Sequence, residues 1–379
     1  MKKIVTLFVL VCIVFLVPTD WAAAGPKNFG YVDQQSNRTF VPIRFLSGYA
    51  GADVKWTSAE QRIDIMNEQK KVTLYVGKRA AYINDSPVVL EDVPFIDNGI
   101  TYVPLRFVSE ALGVQLQWNA DIASVMVTYA DRSTPLPVIK RGFGHHSSKP
   151  IVSERKTYRV AGRSFSVQQV TLSLMHSKIH LDVALAGNTI GKVENLNSIA
   201  KRNNAIVAIN GTFFDAYTEA DFKTPYGYIV SKGQMKRKSS GDRRTIFTYD
   251  KNNLAELIPG PGFNDRFALG TMEGGLQAGP RLLKDGKVAL NVKEEGFKDP
   301  KILTGGGARS ALGITRDHKL ILLTTGGATI PQLAEIMKQA GAHQAMNLDG
   351  GASSGLYYNG KYLTTPGRQI SNALIVKYQ

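Results

Sequence analysis

Two loops in the second half of this 379-residue chain pair a polar side chain with glycine. Asn210-Gly211-Thr212-Phe213-Phe214-Asp215 follows the apolar run Ala205 to Ile209, and Asp349-Gly350-Gly351-Ala352-Ser353-Ser354 follows Ala345 to Leu348. Glycine beside Asp349 lets a substrate approach the backbone and frees amide N–H groups for an anion. Ser353 and Ser354 add hydroxyl donors. A carboxylate beside exposed amides suits hydrolysis of an anionic substrate. Taken singly, each loop also reads as a tight turn in which Asn210 or Asp349 caps backbone.

Three further stretches carry polar groups near glycine. They are Leu276-Gln277-Ala278-Gly279-Pro280-Arg281-Leu282, the run from Gly305 to Ile314 that contains Arg309, and Gly367-Arg368-Gln369-Ile370-Ser371-Asn372. The glycine run at 305–307 lacks the Lys-Ser/Thr end of a P-loop. Gly-flanked Arg309 and Arg368 read as anion ligands rather than plain surface charge.

The elements that position these loops follow from periodicity. Leu196, Ile199 and Ala200 share a helical face before the 205–209 strand. Thr329 caps a second helix, with Gln332 completing a capping box, Leu333, Ile336, Met337 and Ala340 on its apolar face, and Gly341 as its stop. With strands at Lys319 to Thr325 and Ala345 to Leu348 it forms a βαβ unit, and ligands bind at the carboxyl ends of strands in such units. Val170 to Ala186 reads as a strand hairpin. The i, i+4 spacing of His176 and His180 is therefore not a metal pair on a helix. His145-His146 reads as solvated.

Taken in order, the five stretches resemble the phosphodiester glycosidase family, the catalytic domain of the lysosomal uncovering enzyme and of many exported bacterial proteins. The likeness covers about Ser166 to Lys377, with Thr212, Ser310 and Ala352 where the family more often has Gly, Thr and Gly. It implies hydrolysis of the C1–O bond between a sugar and a phosphodiester. A phosphate leaving group needs charge neutralisation more than a general acid, which Arg309 and Arg368 supply. Asp349 would stabilise or attack the oxocarbenium-like carbon. Asn210, Gly211, Gly350, Gly351, Ser353, Ser354 and Gln277 would orient substrate, with Glu273 and Asp215 as reserve carboxylates. No cofactor requirement is visible, and a divalent cation held near Asp349 stays open.

The first half is organised differently. Thr39-Phe40-Val41-Pro42-Ile43-Arg44-Phe45 recurs as Thr101-Tyr102-Val103-Pro104-Leu105-Arg106-Phe107, and Trp56 recurs as Trp118. This duplication predicts paired strand–helix–strand units, with both tryptophans in the core and Arg44 and Arg106 in equivalent salt bridges. It resembles the copper amine oxidase N-terminal-like, or stalk, domain, which implies a non-catalytic adaptor. No copper role follows, because the stretch has no His or Cys.

Lys2 and Lys3, the apolar run Ile4 to Val17 and Ala22-Ala23-Ala24 have the layout of a secretory signal peptide. Cleavage after Ala24 would remove Cys12, the single cysteine. No second run of spanning length follows. The expected plan is a signal peptide at 1–24, the stalk at 25–131, a Pro/Gly/Ser-rich linker at 132–150 and the glycosidase-like domain at 151–379. Fold class is α+β: a large mixed α/β domain with few helices, plus the small duplicated unit. Residues 132–379 hold 34 Lys and Arg against 18 Asp and Glu, so all of the excess positive charge lies there. Such a domain attracts polyanions. An exported chain without a nucleic-acid motif points to a sugar phosphodiester or an anionic wall polymer rather than nucleic acid. The expected location is extracellular or cell-wall associated, in a Gram-positive bacterium. A non-catalytic polymer-binding protein on the same fold is the alternative. Oligomeric state is not indicated.

Overall fold

A computed structural model describes residues 27–49, 52–67, 70–141 and 149–379; the expected signal segment and His145-His146 lie outside them. Among the described residues no helix is long and apolar enough to cross a membrane. The fold is α+β, strand-rich with few helices.

The duplication appears as two strand–helix–strand–strand units. Thr39–Pro42, the helix Ile43–Tyr49, Asp53–Thr57 and Arg62–Met66 match Ile100–Pro104, the helix Leu105–Leu112, Gln115–Asn119 and Ser124–Tyr129. One apolar core joins the two units. Three expectations need correction. Trp56 packs at the edge of this core, but Trp118 is 56% exposed. Arg106 pairs with Glu110 at 3.1 Å along its own helix, whereas Arg44 donates to the Asn28 side chain at 2.9 Å and to the Lys27 carbonyl. Residues 132–141 are not linker. They form a ten-residue strand between Ser124–Tyr129 and Gly30–Asp33, because Leu136 and Val138 alternate into the core. Of the expected linker, 142–148 lies outside the described residues.

Alternation of side chains builds the large domain. In a five-stranded sheet ordered 179–185, 372–378, 207–210, 356–358, 361–364, Val207, Ile209, Leu374 and Val376 face inward. Ala208, Ala373 and Ile375 face outward onto the helix Leu196–Arg202. A seven-stranded sheet ordered 151–160, 163–173, 319–328, 307–314, 344–347, 281–284, 287–288 lies across that core. Its Val170, Leu172, Leu312 and Leu322 face the first sheet, while Val167, Ile321 and Leu323 face the helix Ile330–Gln339. The result is helix on sheet on sheet on helix, the small apolar-faced layers that a single core requires. A third sheet of five strands, 234–237, 229–231, 272–277, 246–250, 255–258, joins the same core.

The capping box at Thr329 and Gln332 is present. Lys319–Ala328 and Gln344–Asn347 each pair antiparallel with Gly307–Ile314, so the βαβ unit crosses over one intervening strand. Arg163–Ser173 and Ile179–Leu185 are consecutive strands but not a hairpin, since they pair into different sheets. The stalk-like unit touches the large domain at Asn28 with Asn252, and at Ala123 O, which lies 3.0 Å from His318 Nε2.

Candidate active site

Asn210 ends its strand, and Asp349 follows the strand Gln344–Asn347 in the facing sheet. The Asn210 amide joins them: its Nδ2 donates to Asp349 O at 2.7 Å. Its Oδ1 accepts from Ser310 Oγ at 2.7 Å and from Gly355 N at 3.0 Å. At 1% exposure this side chain is consumed by the scaffold and is not free to orient a substrate.

Asn372, at the start of the last strand, fixes the other side. Its Oδ1 accepts from Thr212 N at 3.0 Å, and its Nδ2 donates to Thr212 Oγ1 at 2.7 Å. Thr212, where the resembled family has glycine, gives that amide a partner. Gly211 is required here, because a Cβ would stand 2.0 Å from Asn372 Oδ1. Gln277 is likewise structural. Its Oε1 accepts from Tyr228 N at 2.9 Å, and its Nε2 donates to Arg244 O at 2.8 Å.

Asp349 is the chemical group these clamps hold. The residue keeps a partial solvent face, but protein crowds its carboxyl on the other sides. Burial pushes its pKa up to about 7, against bonds from the Ser353 hydroxyl and Gly350 N–H and the charge of Arg368. Gly351 begins a single helical turn through Ser353. Ser354 is 3% exposed, with an Oγ that has no hydrogen-bond partner.

Arg309 is 3% exposed. Its Nε donates to Ala328 O at 2.9 Å, and its Nη2 to Lys301 O at 2.6 Å and Gly305 O at 2.8 Å. All three acceptors are neutral; burial lowers its pKa, and the charge of Asp299 opposes that shift through space. Nη1 is left facing the Asp349 loop: a Cβ on Gly350 would lie 3.6 Å from it.

Arg368 is half-buried and reaches exposed Tyr217, donating from Nη2 to the phenol oxygen at 2.8 Å, with its guanidinium 4.6 Å from the ring centre. That bond, with the charges of Arg368 and Lys301, lowers the Tyr217 pKa, while Asp349 opposes the shift. Tyr217, Lys301, Arg368 and Asp349 therefore share one neighbourhood. A cleft of about 370 Å³ opens beside it, lined by Phe214, Tyr217, Lys223, Ala352 and Arg368. That is within the range of small-ligand sites.

The reserve carboxylates are held by other contacts. Asp215 accepts from Thr218 N at 3.2 Å and steadies the loop that carries Tyr217. Glu273 lies four residues back along its strand from Gln277 and acts on Tyr249. His176 sits in a turn and His180 in a strand. Among the described residues no three His, Cys, Asp or Glu side chains are grouped to hold a metal ion. Tyr217 and Lys301 escaped sequence reasoning. The one signal for Tyr217 was an aromatic stranded in the polar run Asp215 to Asp221, just after the first motif.

Residues 203–377 match the phosphodiester glycosidase family. Residues 30–127 match the copper amine oxidase N-terminal domain. The glycosidase match supports hydrolysis at sugar–phosphodiester bonds as the chemistry of the large domain. Among solved structures, the chain is similar to a hypothetical protein from Synechocystis, with 15% identity over 90% of this chain and 94% of that one, at a TM-score of 0.54. It is also similar to the zebrafish N-acetylglucosamine-1-phosphodiester alpha-N-acetylglucosaminidase catalytic domain auto-inhibited by pro-peptide. There the identity is 21% over 62% of this chain and 86% of that one, at a TM-score of 0.53. At such identities the likeness is one of fold. No curated protein matches the chain.

Proposed function

We propose that the protein is an exported hydrolase that cleaves the bond between a sugar C1 and a phosphodiester oxygen, in sugar-phosphate material of a cell wall or exopolysaccharide. The observation that carries the reading is Asp349: one crowded carboxyl, with a pKa of about 7, under the charge of Arg368, whose partner Tyr217 also feels Lys301. The leading Lys2-Lys3 and Ile4 to Val17 support export.

In this mechanism the phosphodiester lies against Arg368, Lys301 and the free Nη1 of Arg309, which neutralise charge as it moves onto the departing oxygen. The C1–O bond breaks with its electron pair on the phosphate, leaving a phosphomonoester. Water supplies the new oxygen at C1. Ionised Asp349 stabilises the positive carbon and takes up the proton that the water releases, directly or through a covalent ester. Because the working form is the carboxylate, kcat/KM rises as pH passes through about 7.

Hydrolysis of a sugar-1-phosphodiester in ¹⁸O-labelled water tests the reading. Label in the sugar is expected, whereas label in the phosphate shows P–O cleavage and overturns it. Polymer binding without turnover, surviving Asp349→Ala, would make this a binding protein instead.

A further inference from the structure

A cavity of about 820 Å³ lies away from Asp349, at the other end of the seven-stranded sheet. Asp349 follows the C-terminal end of Gln344–Asn347. The cavity is bordered by the opposite ends of the same strands, at Thr315 to Lys319, Asp285 to Lys287 and Ala342-His343.

The strand pattern explains why a groove opens there. Along Arg163–Ser173 one face carries Phe165 and Val167 beneath the helix Ile330–Gln339, then Gln169, Thr171 and Ser173. Along Ile151–Val160 the same face carries Val160 and Tyr158 beneath the helix, then Lys156, Glu154 and Val152. The face turns largely polar where the helix stops at Gly341, so the sheet is left uncovered.

Six lining residues are Lys or Arg and three are Asp or Glu. The acids are already engaged. Glu154 pairs with Lys156 at 2.8 Å, Asp317 with Lys319 at 2.8 Å, and Asp285 accepts from Gln344 Nε2 at 3.0 Å. Lys149, Lys287, Lys338 and Arg316 are left without an ion-pair partner among the described residues. Lys338 also offsets the partial negative charge of the helix C-terminus.

We propose that this groove is a second, non-catalytic binding site for a linear polyanion bearing repeated phosphate groups. Charge complementarity and a polar floor carry the assignment. Its use, holding a polymeric substrate so that the catalytic end meets it at raised local concentration, rests on the function proposed above. The binding itself does not.

The test uses the full chain and long-chain inorganic polyphosphate as the probe, titrated at several salt concentrations. Lys149→Ala, Lys287→Ala and Lys338→Ala combined remove three exposed cations. At roughly twofold each, they weaken binding about tenfold and flatten its salt dependence. A control triple, Lys55→Ala, Lys78→Ala and Lys140→Ala, changes net charge equally and leaves binding within about twofold. Hydrolysis of a small chromogenic sugar-1-phosphodiester stays at the wild-type rate in the groove variant. Wild-type polyphosphate binding by the groove triple, or an equal loss in the control, overturns the proposal. Groove-dependent binding by a chain that hydrolyses no sugar phosphodiester upholds the site and defeats the catalytic reading.

Discussion

Replacing Asp349 with asparagine separates what the carboxyl does for the reaction from what it costs the fold. Burial moves its pKa from 3.8 to about 7. At about 1.4 kcal/mol per pKa unit, the ionised form is disfavoured in the folded chain by up to about 4 kcal/mol. The folded state holds this proton more tightly than the unfolded one. Below about pH 4 the group is neutral in both states and costs nothing; the cost grows as pH rises and is complete once pH passes about 7. The amide of the variant would be neutral throughout, and its carbonyl can still accept from Ser353 and Gly350. Asp349→Asn is therefore expected to abolish turnover while stabilising the protein at pH 8. The residue's partial solvent face reduces the gain, so a rise in Tm on the order of 5–10 °C is expected for a domain of this size. At pH 4 the gain shrinks to under about 1 kcal/mol. Calorimetry of both proteins at the two pH values is the assay. An equal shift at pH 4 and pH 8, or a lower Tm for the variant at pH 8, would refute the reasoning that an unfavourably buried charge sits at this position.

Gly211→Ala drives a Cβ to within 2.0 Å of Asn372 Oδ1, an atom already bonded to Thr212 N. A loss of about 2–4 kcal/mol in urea unfolding is expected. Tyr217→Phe, at an exposed side chain, removes only the bond to Arg368. Stability should hold within about 0.5 kcal/mol, while KM for a sugar phosphodiester changes severalfold. An unchanged KM would place Tyr217 outside the binding site. The pH dependence of kcat/KM in the wild type should show an ascending limb near 7, from Asp349. A descending limb at that position would make the residue a proton donor instead.

The two catalytic-looking loops, the helices before them and the strands that end in them were legible because each leaves a local trace: an apolar period, a cap, a glycine. The roles within the loops were not. Asn210 and Asp349 look alike in sequence, each a polar residue before glycine at a strand end. Their difference lies in register. Pairing of 307–314 with 344–347 and of 207–210 with 356–358 brings Ser310, Gly355 and the Asp349 carbonyl to one amide, and nothing local in the chain marks that convergence. Arg309 shows the intermediate case. Its type and glycine setting suggested an anion ligand, and three carbonyls do orient it, but only Nη1 is left to meet one. The motif residues thus divide into a framework of Asn210, Asn372, Gln277 and Gly211, and the groups that the proposed function puts to work, Asp349, Arg368 and Arg309 Nη1. Substitution distinguishes them by sign. Asn210→Ala leaves Ser310, Gly355 and the Asp349 carbonyl without partners and should lower stability by about 3 kcal/mol or more along with activity, whereas Asp349→Asn should lower activity and raise stability above neutral pH. A motif residue whose removal weakens the fold is holding the site; one whose removal strengthens it is the group the site was built to hold under strain.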